Sequence, residues 1–161
     1  GKEKWHRLAK GGRLFLGIDH TAIAVSDTDR SLGFYGEKLG LRVAGESMNY
    51  GPEQERLNNV FGARLRITGL ATPEEGIAVE FLEYLAPRTG RPYPRGSASN
   101  DIWHWQTSFA ADDISLLEKM KWEYVSSGAA YMKDSVLGFK RAAVVRDPDG
   151  HAVRLTEQGA K

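Results

Sequence analysis

The chain has 161 residues, 41% hydrophobic and 27% charged, with a formal net charge of +1 and no cysteine. That length suits one domain or two small halves sharing a core, and the balanced charge excludes a general affinity for nucleic acid or anionic membranes. No apolar run approaches the roughly 20 residues of a membrane span, and the lack of Cys excludes disulfides, thiolate catalysis and Cys-based metal sites.

Residues 1–13 carry Lys2, Lys4, Arg7, Lys10 and Arg13 and read as a basic leader or linker. The start at Gly1 rather than Met points to a trimmed N-terminus. A disulfide-free chain fits cytoplasm or periplasm, and the cytoplasm is the expected compartment. Leu14 to Val25 alternates as a strand, with Ile18, His20, Ala22 and Ala24 on one face. An imidazole followed by two small residues suggests a pocket wall. Ser26-Asp27-Thr28-Asp29 supplies helix N-cap chemistry, Leu32, Tyr35 and Leu39 follow at helical spacing, and Gly40 fits the stop. Leu41 to Met48 is a second strand. Asn49 to Asn58 is polar, contains Gly51-Pro52 and reads as a loop. Strands follow at Val60 to Leu70 and Ile77 to Leu85. Ala86 to Asn100, rich in Pro, Gly, Arg and Ser, reads as a connector.

The order then repeats. Ile102 to Phe109 is a strand, Asp112-Asp113 caps a helix carrying Leu117, Met120 and Tyr124, and short strands cover Ala129 to Lys133 and Gly138 to Arg146. Asp147-Pro148-Asp149-Gly150 is a turn before a last strand, His151 to Glu157. The chain thus has an internal repeat of 84 residues, measured from His20 to His104. The expected organisation is a leader at 1–13 and one domain at 14–158, made of half one (14–85), connector (86–100) and half two (101–158).

Glu80 lies in the last strand of half one, and Arg154 at the matching place in half two. His20, Glu80 and His104 are the ligand types of a two-His-one-carboxylate face, suited to Fe, Mn, Ni, Co or Zn. Gln106 follows His104 on the same strand face and is a candidate to orient a ligand carbonyl. There is no Gly-rich phosphate loop, Gly-x-Ser-x-Gly elbow or His-Glu-x-x-His helix, so no nucleotide or flavin cofactor is expected.

The paired strand-helix-strand-strand-strand halves, Asp19-His20-Thr21, Val79-Glu80-Phe81 and the Arg146-Asp147-Pro148-Asp149-Gly150 turn together resemble the vicinal oxygen chelate superfamily. This is the group of glyoxalases, bleomycin-resistance proteins and extradiol dioxygenases. The resemblance covers Leu14 to Gln158. It implies an α+β fold of two βαβββ modules whose curved sheets form a cup, and a homodimer. It also implies one divalent metal bound from four positions, which map onto His20, Glu80, His104 and 154.

Position 154 departs from the pattern, which has Glu there as ligand and proton-transfer base. Arg154 offers no lone pair and stays protonated. Two readings follow. In the first, His20, Glu80 and His104 hold a metal that polarises a small oxygenated substrate, Arg154 holds substrate charge and Gln106 orients it. Glu80 and Arg154 then both belong to the catalytic set. In the second, the chain is a metal-free small-molecule or drug-binding protein of the bleomycin-resistance type.

Overall fold

Asp27 sets the start of the first helix and, through it, the face of the first sheet that is covered. In the computed structural model, which describes residues 12, 14–74, 76–133 and 136–157, the chain divides into two units, Gly1–Arg88 and Thr89–Lys161. The basic leader lies outside the described residues apart from Gly12.

The first unit contains β1 (His20–Val25), α1 (Thr28–Tyr35), β2 (Arg42–Tyr50), α2 (Pro52–Asn58), β3 (Arg64–Ala71) and β4 (Ala78–Ala86). Its sheet order is β1-β4-β3-β2, with β1 parallel to β4 and the other pairs antiparallel. Alternation divides the sheet. Ile23, Val25, Val79, Phe81 and Leu70 are buried on one face. There Tyr35 of α1 packs edge-on against Phe81, with ring centroids 5.1 Å apart. The Asp27 carboxylate accepts the Arg30 N–H at 2.9 Å, and buried Glu83 accepts the Thr28 N–H at 3.2 Å. Two carboxylates therefore occupy the positive end of α1, where they satisfy N–H groups that have no partner within the helix.

The second unit contains β5 (Gln106–Ala111), a 3-10 helix (Ile114–Lys119), β6 (Glu123–Tyr124), β7 (Ala130–Tyr131), β8 (Arg141–Arg146) and β9 (Ala152–Glu157). The order is β5-β9-β8-β6, with β7 also paired to β8. Its core is built on Ile114, Val145, Val153 and Leu155, all nearly or fully buried. Each unit thus follows the βαβββ plan, with α2 added in the first and a 3-10 helix and two short strands, β6 and β7, in the second, and the fold is α+β as expected. No helix among the described residues is long and apolar enough to cross a membrane.

Several boundaries differ from expectation. The strand expected from Leu14 begins only at His20, and Leu14, Phe15 and Ile18 are exposed. The expected loop at Asn49 to Asn58 contains α2, with Pro52 at its N-terminus, Glu53 and Glu55 in its first turn and Asn59 in the left-handed region at its C-cap (φ 53°). The strand expected from Ile102 begins at Gln106. A turn precedes it, in which the Asp101 side chain accepts the Ala98 N–H and the Asp101 carbonyl accepts the His104 N–H at 2.9 Å. The second helix is a single 3-10 segment, and Tyr124, expected on it, instead pairs with Val145 across β6 and β8.

Candidate functional site

The open face of the first sheet carries His20, Ala22 and Ala24 of β1, none of them buried. Register places Ala22 beside Glu80, Glu80 beside Gly69, and Gly69 beside Gly45. Glu80 is therefore the one functional side chain in a row of otherwise minimal residues, so its carboxylate is approachable from this face. His20 Nδ1 lies 3.0 Å from Asp19 Oδ2, and its Nε2 lies 3.7 Å from Glu80 Oε1. The first contact is a hydrogen bond; the second is too long for one. At the far end of the face Asn49 donates to Gln54, Gln54 to Asn58, and Asn58 to the Tyr84 hydroxyl. This chain of amides, with Gln54 buried on α2, fixes one wall.

The second sheet repeats this plan with different chemistry. In the first unit the last strand pairs Ala78 with His20 and Glu80 with Ala22; in the second, Ala152 pairs with Gln106 and Arg154 with Ser108. Glu83 accepts the N–H of Thr28, and Glu157 accepts that of Ile114 at 3.0 Å. All these equivalences require a spacing of 86 residues between β1 and β5, not the 84 measured from His20 to His104. The register counterpart of His20 is Gln106, and His104 sits in the turn before the strand. The helix caps hold the signal that reveals this: Asp27 follows His20 at the same interval as Asp113 follows Gln106. Histidine matching alone put the repeat two residues out of phase.

Arg154 holds the position equivalent to Glu80. Its Nε donates to Ser108 Oγ at 3.0 Å, and its guanidinium carbon lies 5.3 Å from the centroid of the Phe139 ring.

Other candidates have structural partners. Buried His151 puts Nδ1 3.0 Å from Asp147 Oδ2, while Asp147 Oδ1 accepts the N–H groups of Asp149 and His151. Tyr93 and Trp105 pack on the His151 ring at 5.4 and 4.9 Å. His151 is thus clamped and buried, with Trp105 packed on the turn that carries it. Trp103 is 58% exposed. The stretch expected to be a connector is pinned by Tyr93, whose hydroxyl donates to the Trp103 carbonyl, and by Ser97, whose carbonyl accepts from Arg146 at 2.8 Å. Arg66 is committed to Asp29 and Glu46, at 3.0 and 2.9 Å. The Arg66 guanidinium, with help from the Thr68 hydroxyl, holds the Glu46 carboxyl below its ordinary value, and Glu46 and Asp29 raise that of Arg66.

Among the described residues no group of three or more His, Asp or Glu is arranged to hold a metal ion. The donor chemistry of the first sheet nevertheless fits a divalent cation as two of its ligands. With the Nδ1 proton directed at Asp19, His20 Nε2 keeps its lone pair toward Glu80. Two ligand atoms at about 2.1 Å from one ion stand roughly 3.0–3.5 Å apart, close to the observed separation of that pair. Arg154 offers no lone pair to such a set.

A family model described as Glyoxalase/Bleomycin resistance protein/Dioxygenase superfamily matches residues 17–155. The fold is similar to that of a glyoxalase family protein from Bacillus cereus, at TM-score 0.76 and 23% identity, covering 92% of this chain and 97% of that one. It is also similar to the trypanothione-dependent glyoxalase I of Leishmania major (TM-score 0.52, 21% identity, 88% and 86% covered). A third similar structure is TnmS3, an antibiotic-binding protein from Streptomyces sp. CB03234 (TM-score 0.52, 17% identity, 91% and 99% covered). No curated protein matches the chain.

Proposed function

Because the chain belongs to the glyoxalase/bleomycin resistance protein/dioxygenase superfamily, we propose that it is a glyoxalase-like enzyme acting on a small oxygenated organic substrate with a divalent cation held by His20 and Glu80. The observation supporting this is the pair itself: Nε2 and Oε1 stand 3.7 Å apart on an open face, with Asp19 orienting the imidazole from behind. When bound, such a cation supplies Lewis acidity, polarising a carbonyl or enediolate oxygen. Asp19 selects the tautomer and ring orientation of His20. Glu80, between Ala22 and Gly69, meets no side-chain bulk from its row, so substrate can reach it. A homodimer is the proposed assembly.

The test is cation binding by calorimetry and metal analysis on protein purified without chelators. His20→Ala and Glu80→Gln are each expected to weaken binding by about tenfold or more. If wild-type protein neither retains nor takes up Fe, Mn, Ni, Co or Zn, the cation reading falls. The second reading, metal-free binding of a small molecule or drug, is favoured by Arg154, a cation where a fourth ligand would be needed. Ligand binding that persists unchanged without metal would support it.

A further inference from the structure

We propose that Arg154 is the recognition point for a single carboxylate group of a small organic ligand. The proposal concerns the second unit alone, and it stands whether or not His20 and Glu80 bind a cation.

The guanidinium is held in place. Ser108, directly opposite in register, accepts its Nε proton, and the 8%-exposed Phe139 presents its ring face to the cation. Its strand neighbours Val153 and Leu155 are buried on the other face of the sheet, so the root of the side chain is fixed as well. A side chain already ordered on three sides loses little freedom on binding.

Its charge, however, is unspent. The neighbouring arginines of this sheet each have a carboxylate partner. Arg141 reaches Glu157 at 3.2 Å, and Arg146 lies 3.9 Å from Glu123 while also donating to two carbonyls. Arg154 has no carboxylate within 4.0 Å and no hydrogen bond from either Nη among the described residues. A half-buried guanidinium fixed through Nε alone keeps its two-pronged end for an incoming anion. With one cation and one negative charge to match, a planar monocarboxylate suits it better than a phosphate dianion. Gln106, two residues before Ser108 on the same strand face, adds an amide donor about 7 Å along.

The experiment uses the full chain in EDTA, so that no divalent cation takes part, and follows the Arg154 Nε–Hε resonance by NMR. The probes are acetate, lactate and benzoate, with benzamide as the uncharged counterpart of benzoate and inorganic phosphate as the competing anion. At least one carboxylate is expected to shift the Nε resonance saturably, and benzamide to leave it unmoved. Calorimetry with that carboxylate should show a loss of about tenfold or more in Arg154→Met. Arg154→Lys, which keeps charge but loses the fork, should recover only part of it. Thermal unfolding reports whether the variants fold. Should Arg154→Met fail to, Ser108→Ala gives the second measurement, with weaker carboxylate binding expected because the guanidinium is released. Any of four results overturns the proposal: no carboxylate shifts the resonance, benzamide binds as well as benzoate, phosphate binds more tightly than every carboxylate, or the variants bind like wild type.

Discussion

Individual residues divide here between those whose charge is neutralised inside the protein and those whose charge is kept available. Glu46 belongs to the first kind. Hydrogen bonds from Arg66 and Thr68 hold its carboxyl below the ordinary 4.5. A carboxylate whose pKa falls on folding adds stability that is fully present above its unfolded value and is lost as pH drops through the folded one. Glu46→Gln should therefore unfold at a lower temperature than wild type at neutral pH. The gap should close as pH falls below 4.5, the ordinary value of this carboxyl. Thermal unfolding across an acid series measures it, and a gap that stays constant would refute the pairing. Arg154 belongs to the second kind, and His20 is set apart by its Nε2, which stands 3.7 Å from Glu80 Oε1 on the open face. Sequence alone singled out both as site candidates. It could not tell that Arg154 would be gripped by Ser108 and Phe139, because those contacts join residues distant along the chain.

At the scale of elements, Glu83 and Glu157 do the same work in the two modules. Each lies on the last strand of its module and accepts the N–H of the first residue of that module's first helix. Removing the acceptor leaves a shielded N–H unpaired, at a cost of about 1–3 kcal/mol. Glu83→Ala and Glu157→Ala should each lose stability in that range by chemical denaturation. Glu157→Ala should lose the more, since it also removes the 3.2 Å contact with the largely buried Arg141, whereas Arg88, 3.8 Å from Glu83, is exposed. A loss below about 0.5 kcal/mol in both would show that these bonds matter little. Alternating hydrophobicity made most strands legible in the sequence, since Ile23, Val25, Val79 and Phe81 are buried together. The helix α2 was not legible. It is polar, follows Gly51-Pro52 and buries only Gln54, so it has no apolar stripe, and the proline that suggested a loop is its first residue. The phase of the repeat was legible only in its capping aspartates. A histidine in a turn imitated the repeat two residues early.

For the molecule as a whole, each module rests on its own sheet. The inner strands are β4 and β3 in one, β9 and β8 in the other, while β2, at an edge, has eight of its nine residues exposed. Native-state hydrogen exchange should be slowest in those four inner strands, with the outward-facing amides of β2 exchanging fastest. Uniform protection across β2 and β3 would contradict this. The position shared by Glu80 and Arg154 lies on the opposite sheet face from the one shared by Glu83 and Glu157. At the first position the two modules have taken opposite charges; at the second they have kept the same acid. A lineage carrying this architecture can therefore change what it recognises by single substitutions on one side of a sheet, while the side that keeps the protein folded stays untouched. Evolvability of ligand choice is thus built into three residues' spacing along a strand.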